Sequence, residues 1–374
     1  MNSFFGKVFG FDNQKHSVRT EIVAGITTFL TMAYILAVNP GIFSALPGMP
    51  KGSVFTATAL AAIVGTLMMA LYAKKPFALA PGMGLNAFFV FTVCLGMGYS
   101  WQFALTAVLI EGLIFIIMSI TGLRGWLLGA IPGTLKKAIG AGIGLFIAFI
   151  GMQNAGIIVN NDATLVSLGD ITKGTALLSL IGFAITAGLV MLKVKGGMLI
   201  GILATTLLGL VIKDPATGES ITSFIRNDAG KVMLVSLPES VAPIFCKFEW
   251  ASILSWDMLV VVLTFLFIDL FDTMGTIIGV CQGTELGNKE NVEGIDKMFL
   301  SDSVATVVGA CLGTSTTTTY VESASGVSAG GRTGLTAFST AVCFALALFF
   351  SPIFLAIPGA ATAPALIIVG VMMM

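Results

Sequence analysis

Charge is what this chain has least of: 10% of its 374 residues are Asp, Glu, Lys or Arg, against about 25% in an ordinary soluble domain. With 56% hydrophobic residues and a mean hydropathy of +0.99, that scarcity excludes a soluble globular protein and leaves a polytopic membrane protein. The 19 basic residues only balance 19 acidic ones, so there is no positive excess to bind nucleic acid. The single histidine, His16, precedes the first apolar run. This excludes a histidine metal cluster or buried histidine relay and leaves His16 a solvated tail residue. Cys94, Cys281, Cys311 and Cys343 lie in or beside apolar runs and Cys246 in a polar loop, with no CxxC spacing. They read as small packing residues, neither a disulfide framework nor a metal site. Residues 1–20 carry Lys7, Lys15 and Arg19 but no apolar segment with a cleavage site, so the first span itself is expected to direct insertion.

What is present is apolar sequence and glycine, 44 residues of it, the composition of closely packed membrane helices. Windows of about 20 residues predict spans at 21–39, 54–73, 82–97, 101–121, 136–154, 174–192, 196–212, 256–281, 298–313, 320–333, 334–351 and 353–374. Two of them break. The third is interrupted at Ala80-Pro81-Gly82-Met83-Gly84, where proline lacks an amide donor and glycine loosens the backbone. The tenth, TSTTTTYVESASGVSAGGRTG, is too polar and glycine-rich for a lipid-facing helix. Non-helical backbone at membrane depth persists only where protein or a water-filled cavity satisfies it. Both segments are therefore predicted to be half extended and half helical, with the extended parts around Ala80–Gly84 and Tyr320–Gly326 adjacent near mid-membrane.

Cytoplasmic loops carry the excess of Lys and Arg. An inside start places 13 of the 19 on that side: Lys7, Lys15, Arg19, Lys74, Lys75, Arg124, Lys136, Lys137, Lys193, Lys195, Lys289, Lys297 and Arg332. The N-terminus is accordingly expected in the cytoplasm of a multi-pass cell-membrane protein. An internal repeat is also visible. Residues 31–38 match 273–280, residues 61–65 match 305–309, and a broken span follows each pair. Seven spans separate the copies, so the second enters from the opposite side. Transporters built from such inverted repeats bind substrate and coupling ions at the broken segments. Seven plus seven requires fourteen spans, and this sequence supplies about twelve before it ends in an apolar run at Met374; two more helices are expected in the complete fold.

The ionisable residues expected to be buried within these spans are Glu111, Asp269, Asp272, Asp302 and Glu322, all acids, with no Lys or Arg deep in a span. Each carboxylate at bilayer depth costs about 2.5–3.5 kcal/mol on insertion scales, so their helix faces should meet protein or water. Asp269 and Asp272, three apart, share one such face. An acidic lining disfavours small anions and suits a cation, a proton, or a neutral ligand with N–H donors. Asn86, just past the first break, adds an amide. Simpler readings compete. Glu111 could bond a neighbouring helix, Asp302 could cap, and Asn86 could satisfy broken backbone. The Ser315–Thr319 hydroxyls fit backbone satisfaction, Arg332 a cytoplasmic anchor, and Phe88, Phe89 and Phe91 core or lipid contact, although one ring could stack on a flat ligand.

At PFALAPGMGLNAFF, AIGAGIGLFIAFIGMQNAGI, FIDLFDTMGT and TTTTYVESASGVSAGGRTGLTA the chain resembles the AzgA-like hypoxanthine/guanine permeases, a branch of the xanthine/uracil permease (nucleobase-ascorbate transporter) superfamily. The resemblance covers essentially the whole chain. It implies proton-coupled uptake of the purines hypoxanthine, guanine and adenine by an all-α 7+7 inverted-repeat fold, commonly a homodimer, with no cofactor beyond the coupling proton. It further implies a cytoplasmic tail (1–20), a core domain (21–121 and 256–351), a gate domain (122–212 and 352–374) and an outer loop (213–255). Substrate-binding groups carry over to Gly84, Asn86, Asp269 and Glu322, with Asp272, Asp302 and Glu322 in proton-coupling or supporting positions. The rival readings are a transporter of the same fold for xanthine, uracil or a small anion, and an intramembrane hydrolase. The acids disfavour an anion, and the hydrolase lacks HExxH and a histidine base.

Overall fold

A computed structural model describes residues 2–12, 15–123, 133–215, 217–226, 230–281, 287–288, 291–292 and 294–373. Arg124 and Lys289, used above for orientation, lie outside them. In chain order the helices are α1 (Asn2–Phe9), α2 (Val18–Met32), α3 (Ile35–Phe43), α4 (Lys51–Met68), α5 (Met83–Ala87), α6 (Trp101–Thr121), α7 (Gly133–Asn154), α8 (Gly174–Met191), α9 (Gly197–Leu208), α10 (Trp256–Cys281), α11 (Ile295–Leu312), α12 (Ser323–Ser328), α13 (Gly334–Ala347), α14 (Ser351–Leu355) and α15 (Gly359–Met373). The strands used below are β1 (Leu79–Pro81), β2 (Ile158–Asn161), β3 (Leu165–Leu168) and β4 (Thr317–Thr319). Among the described residues six helical segments are long and apolar enough to cross a membrane, and the fold is the 7+7 inverted-repeat transporter fold in its helical order.

Local chemistry explains the interruptions. In α2, Thr27, Thr28 and Thr31 return their hydroxyls to carbonyls three or four residues back, a pattern that bends helices. The helix yields at Ala33–Tyr34 and resumes as α3. The predicted twelfth span, 353–374, is instead two pieces, α14 and α15, because the chain turns at Ile357–Pro358 before helix resumes at Gly359.

The expected break in the third span is present: β1 leads into α5, and π-helical turns Phe88–Gly96 continue it. In the tenth segment the extended part is Thr317–Thr319, and Tyr320–Gly326 turns into α12. The expected position was thus several residues too far along. The threonine run, β-branched and flush with polar partners, holds the strand, while the small residues after it close a helical turn.

β1 and β4 pair antiparallel in the register Leu79 to Thr319, Ala80 to Thr318 and Pro81 to Thr317. Antiparallel pairing is what two copies entering from opposite sides should produce. The two strands have matching seats. A Cβ on Gly65 of α4 would stand 3.1 Å from Leu79 Cβ, and one on Gly309 of α11 would stand 2.6 Å from Thr317 Oγ1. These two glycines end the second pair of repeat matches. Side chains alternate along β1, Phe77 and Leu79 joining one apolar cluster and Ala78 and Ala80 the other, so the strand runs between two halves of the core.

Around this pair α2, α4, α6, α10, α11 and α13 pack on one another, whereas α15 lies along α7 and α8, and α8 along α9. The two groups meet where α7 touches α5 and α10, α9 touches α2 and α15 touches α3.

Candidate functional site

The strand pair places one break from each repeat beside the middle of α10. Asp269 and Asp302 are fully buried, as are Asn86 and Glu111, while Asp272 and Glu322 are half-buried. Asp302 sits two turns inside α11, deeper than a cap at the helix start. Its Oδ1 accepts from the Thr319 backbone amide at 2.9 Å and the Thr319 hydroxyl at 3.1 Å. Asp302 therefore anchors β4, whose burial would otherwise leave those donors unsatisfied.

Thr273, one turn after Asp269 on α10, stands at the junction. Its Oγ1 is 3.0 Å from Asp269 Oδ1, 3.0 Å from Asp302 Oδ2 and 2.9 Å from Thr318 Oγ1. Thr318 in turn lies beside Asp272. A hydroxyl carries one proton and accepts through two lone pairs. With Thr318 donating to Thr273, and Thr273 donating to one carboxylate, the contact with the other carboxyl is a hydrogen bond only when that carboxyl itself holds a proton. The predicted acidic face of α10 is thus joined to α11 and β4 through two threonine hydroxyls.

Gly82, at the start of α5, approaches this junction closely: a Cβ there would stand 2.6 Å from Thr318 Cγ2 and 3.8 Å from Asp272 Oδ2. Asn86 donates to Pro81 O at 3.4 Å, and its Oδ1, wholly buried, has no partner among the described residues. Tyr320 donates to the same Pro81 carbonyl at 2.6 Å and lies within electrostatic reach of Glu322 and Asp272. The side chain of Tyr34, at the bend between α2 and α3, donates to Glu322 Oε1. Gly84 faces the other helix group, where a Cβ would meet Ile143 Cγ2 of α7 at 2.7 Å.

The structure therefore gathers Gly84, Asn86, Asp272 and Glu322 about the two breaks, with Asp269 and Asp302 joined to them through Thr273 and Thr318. Glu111 accepts from Thr316 at 2.8 Å and secures the approach to β4. The hydroxyl run does more than satisfy backbone: Thr316 and Thr319 each bond a carboxylate, and Thr318 bonds Thr273. Phe88 packs edge-on to Phe265 at 4.9 Å, and Phe89 contacts Phe43 and Phe265, so both rings are core contacts. Arg332 donates to Val327 O and Gly331 O, bracing the turn after α12.

Several participants escaped the sequence reading. Tyr34 sat in an apolar run, Tyr320 lay in the broken tenth segment without an assigned role, and Thr273 opened a repeat match just after the acids. Glu21 is a further fully buried acid; it accepts from the Arg332 and Thr333 amides and the Thr336 hydroxyl, tying α2 to α13. It is the first residue of the first predicted span, 21–39, and was not counted among the buried acids.

The xanthine/uracil permease profile, described as "Permease family", matches residues 19–374. The guanine/hypoxanthine permease PbuG of Bacillus subtilis is 47% identical over 377 residues, covering 98% of this chain and 82% of that protein. The adenine permease AdeP of Escherichia coli is 40% identical over 368 residues, covering 98% and 79%. In fold, the transmembrane domain of the cyanobacterial bicarbonate transporter BicA superposes with a TM-score of 0.71 at 17% identity, covering 96% of this chain and 90% of that one.

Proposed function

Since the chain belongs to the xanthine/uracil permease family, we propose that it imports purine nucleobases, hypoxanthine and guanine foremost and adenine as a third candidate, by proton symport. The protein is a multi-pass membrane transporter; the substrate is inferred from the relatives' names together with the site. One observation carries the reading: a buried amide oxygen, Asn86 Oδ1, lacks a donor among the described residues, beside two breaks that also gather the half-buried Asp272 and Glu322. A planar heterocycle with both N–H donors and acceptors suits such a lining; a small anion does not.

In this mechanism Asp269 accepts a ring N–H, while Glu322 or Asp272 carries the proton and donates to a purine carbonyl or ring nitrogen. The proton arithmetic at Thr273 supports a network that binds protons, because its contacts outnumber the hydroxyl protons available. Loss of the proton to the cytoplasm weakens the hold on the ring, and both leave together. Alternating access then moves the core helices (21–121 and 256–351) against the gate helices (122–212 and 352–374). The separate packing of the two groups supports that division. We place the N-terminus in the cytoplasm, residues 213–255 outside, the protein in the cell membrane and the assembly as a homodimer.

Uptake of radiolabelled hypoxanthine in cells lacking their own purine permeases tests the substrate class. Guanine is expected to compete at low concentration and bicarbonate not at all. Competition by bicarbonate without competition by purines would replace this reading with anion transport.

A further inference from the structure

Two cysteines far apart in sequence meet at the outer end of α11. Cys246, in the polar loop before α10, is exposed; Cys311, in the last turn of α11, is half-buried. The Cys246 amide donates to the Cys311 carbonyl at 2.8 Å, which sets the two side chains beside each other. Cys246 also adopts φ 50°, a left-handed conformation uncommon for a residue with a side chain. The backbone pays for this turn with the bond to Cys311, which fixes the side chain toward its neighbour.

The surrounding strap is firmly docked. Ile244 is fully buried against Gly313, where a Cβ would stand 2.7 Å from it. The Ser53 hydroxyl donates to Ser240 O, the Glu249 amide to Thr106 Oγ1, and the Ser236 amide to Phe349 O. The strap thus crosses the ends of α4, α6, α11 and α13, all within one helix group.

We propose that Cys246 and Cys311 are a disulfide-forming pair that staples this strap to the end of α11 when a soluble disulfide oxidant reaches the exposed thiol. The Cys246 thiolate attacks one sulfur of the oxidant's disulfide, forming a mixed disulfide and releasing one thiol. The Cys311 thiolate then attacks the Cys246 sulfur and releases the second. The two protons lost by the cysteines end on the two oxidant thiols, so the exchange balances. An outer position, as in the orientation proposed above, would expose the pair to an oxidising compartment. Because every anchor of the strap lies in one helix group, the cross-link stabilises that group without joining it to the other.

The test uses the purified full chain in lipid nanodiscs, reduced, freed of reductant, then treated with glutathione disulfide. After alkylation and trypsin digestion, mass spectrometry is expected to show peptide 232–247 joined to peptide 298–332, and the thermal unfolding midpoint to rise on oxidation. Cys246→Ser and Cys311→Ser should each abolish both changes. Recovery of both cysteines alkylated, of Cys246 carrying only glutathione, or of Cys246 joined to a second copy would overturn the proposal.

Discussion

Asp269 and Asp302, on different helices, share a single hydroxyl: Thr273 Oγ1 lies 3.0 Å from an oxygen of each. Removing that hydroxyl separates its two roles. Thr273→Val keeps the shape but leaves the carboxyl groups without their link, so uptake is expected to fall by about tenfold or more, a loss of roughly 1.5–3 kcal/mol for a hydrogen bond to a charged group. Thr273→Ser should retain most activity. Equal loss in both variants, at equal membrane abundance, would mean that packing and not the hydroxyl matters.

Charge at the ligand and charge behind it should behave differently. Asp269→Asn and Glu322→Gln preserve shape and are expected to abolish hypoxanthine uptake while the protein still reaches the membrane. Glu111→Gln should transport substantially, since an amide oxygen can still accept from Thr316; Glu111→Leu should not, because it leaves that hydroxyl unpaired. Near-normal uptake by either of the first two variants would remove those residues from the site.

Tyr34 reaches Glu322 across the bundle, from the bend of one repeat to the break of the other. Tyr34→Phe keeps the ring and deletes the donor. Uptake measured against substrate concentration should show a KM raised about tenfold, by the same hydrogen-bond magnitude. An unchanged KM would make the contact incidental to binding.

Gly84 meets α7 with no room for a side chain. Gly84→Val is expected to reduce uptake strongly, and Ile143→Ala in the same protein to restore part of it by vacating the contact. Failure of the second substitution to restore any uptake would point to a backbone requirement at Gly84 instead of a steric one.

How much of this could be read beforehand depended on scale. The breaks at Pro81 and in the threonine-rich segment were legible because proline, glycine and hydroxyls interrupt an otherwise apolar text. So was the inverted repeat, whose copies keep glycines at Gly65 and Gly309 to seat their strands. The extent of β4 was not, since a run of threonines satisfies its backbone equally well as strand or turn until Asp302 and Thr306 are in place. Tyr34 looked like any aromatic in an apolar helix, and its partner is 288 residues away. The Cys246–Cys311 meeting carried no spacing signal for the same reason. Local chemistry is written locally, but the partner of a buried polar group is set by how the helices pack.

Proton coupling is tested most directly with purified protein in proteoliposomes, loaded at neutral pH and diluted into acidic buffer containing radiolabelled hypoxanthine, with an equal sodium gradient as the comparison. Hypoxanthine is expected to accumulate above its external concentration under the pH gradient alone and to drain when an uncoupler collapses it. Accumulation that follows the sodium gradient, or that persists undiminished with the uncoupler present, would contradict the proton-driven mechanism.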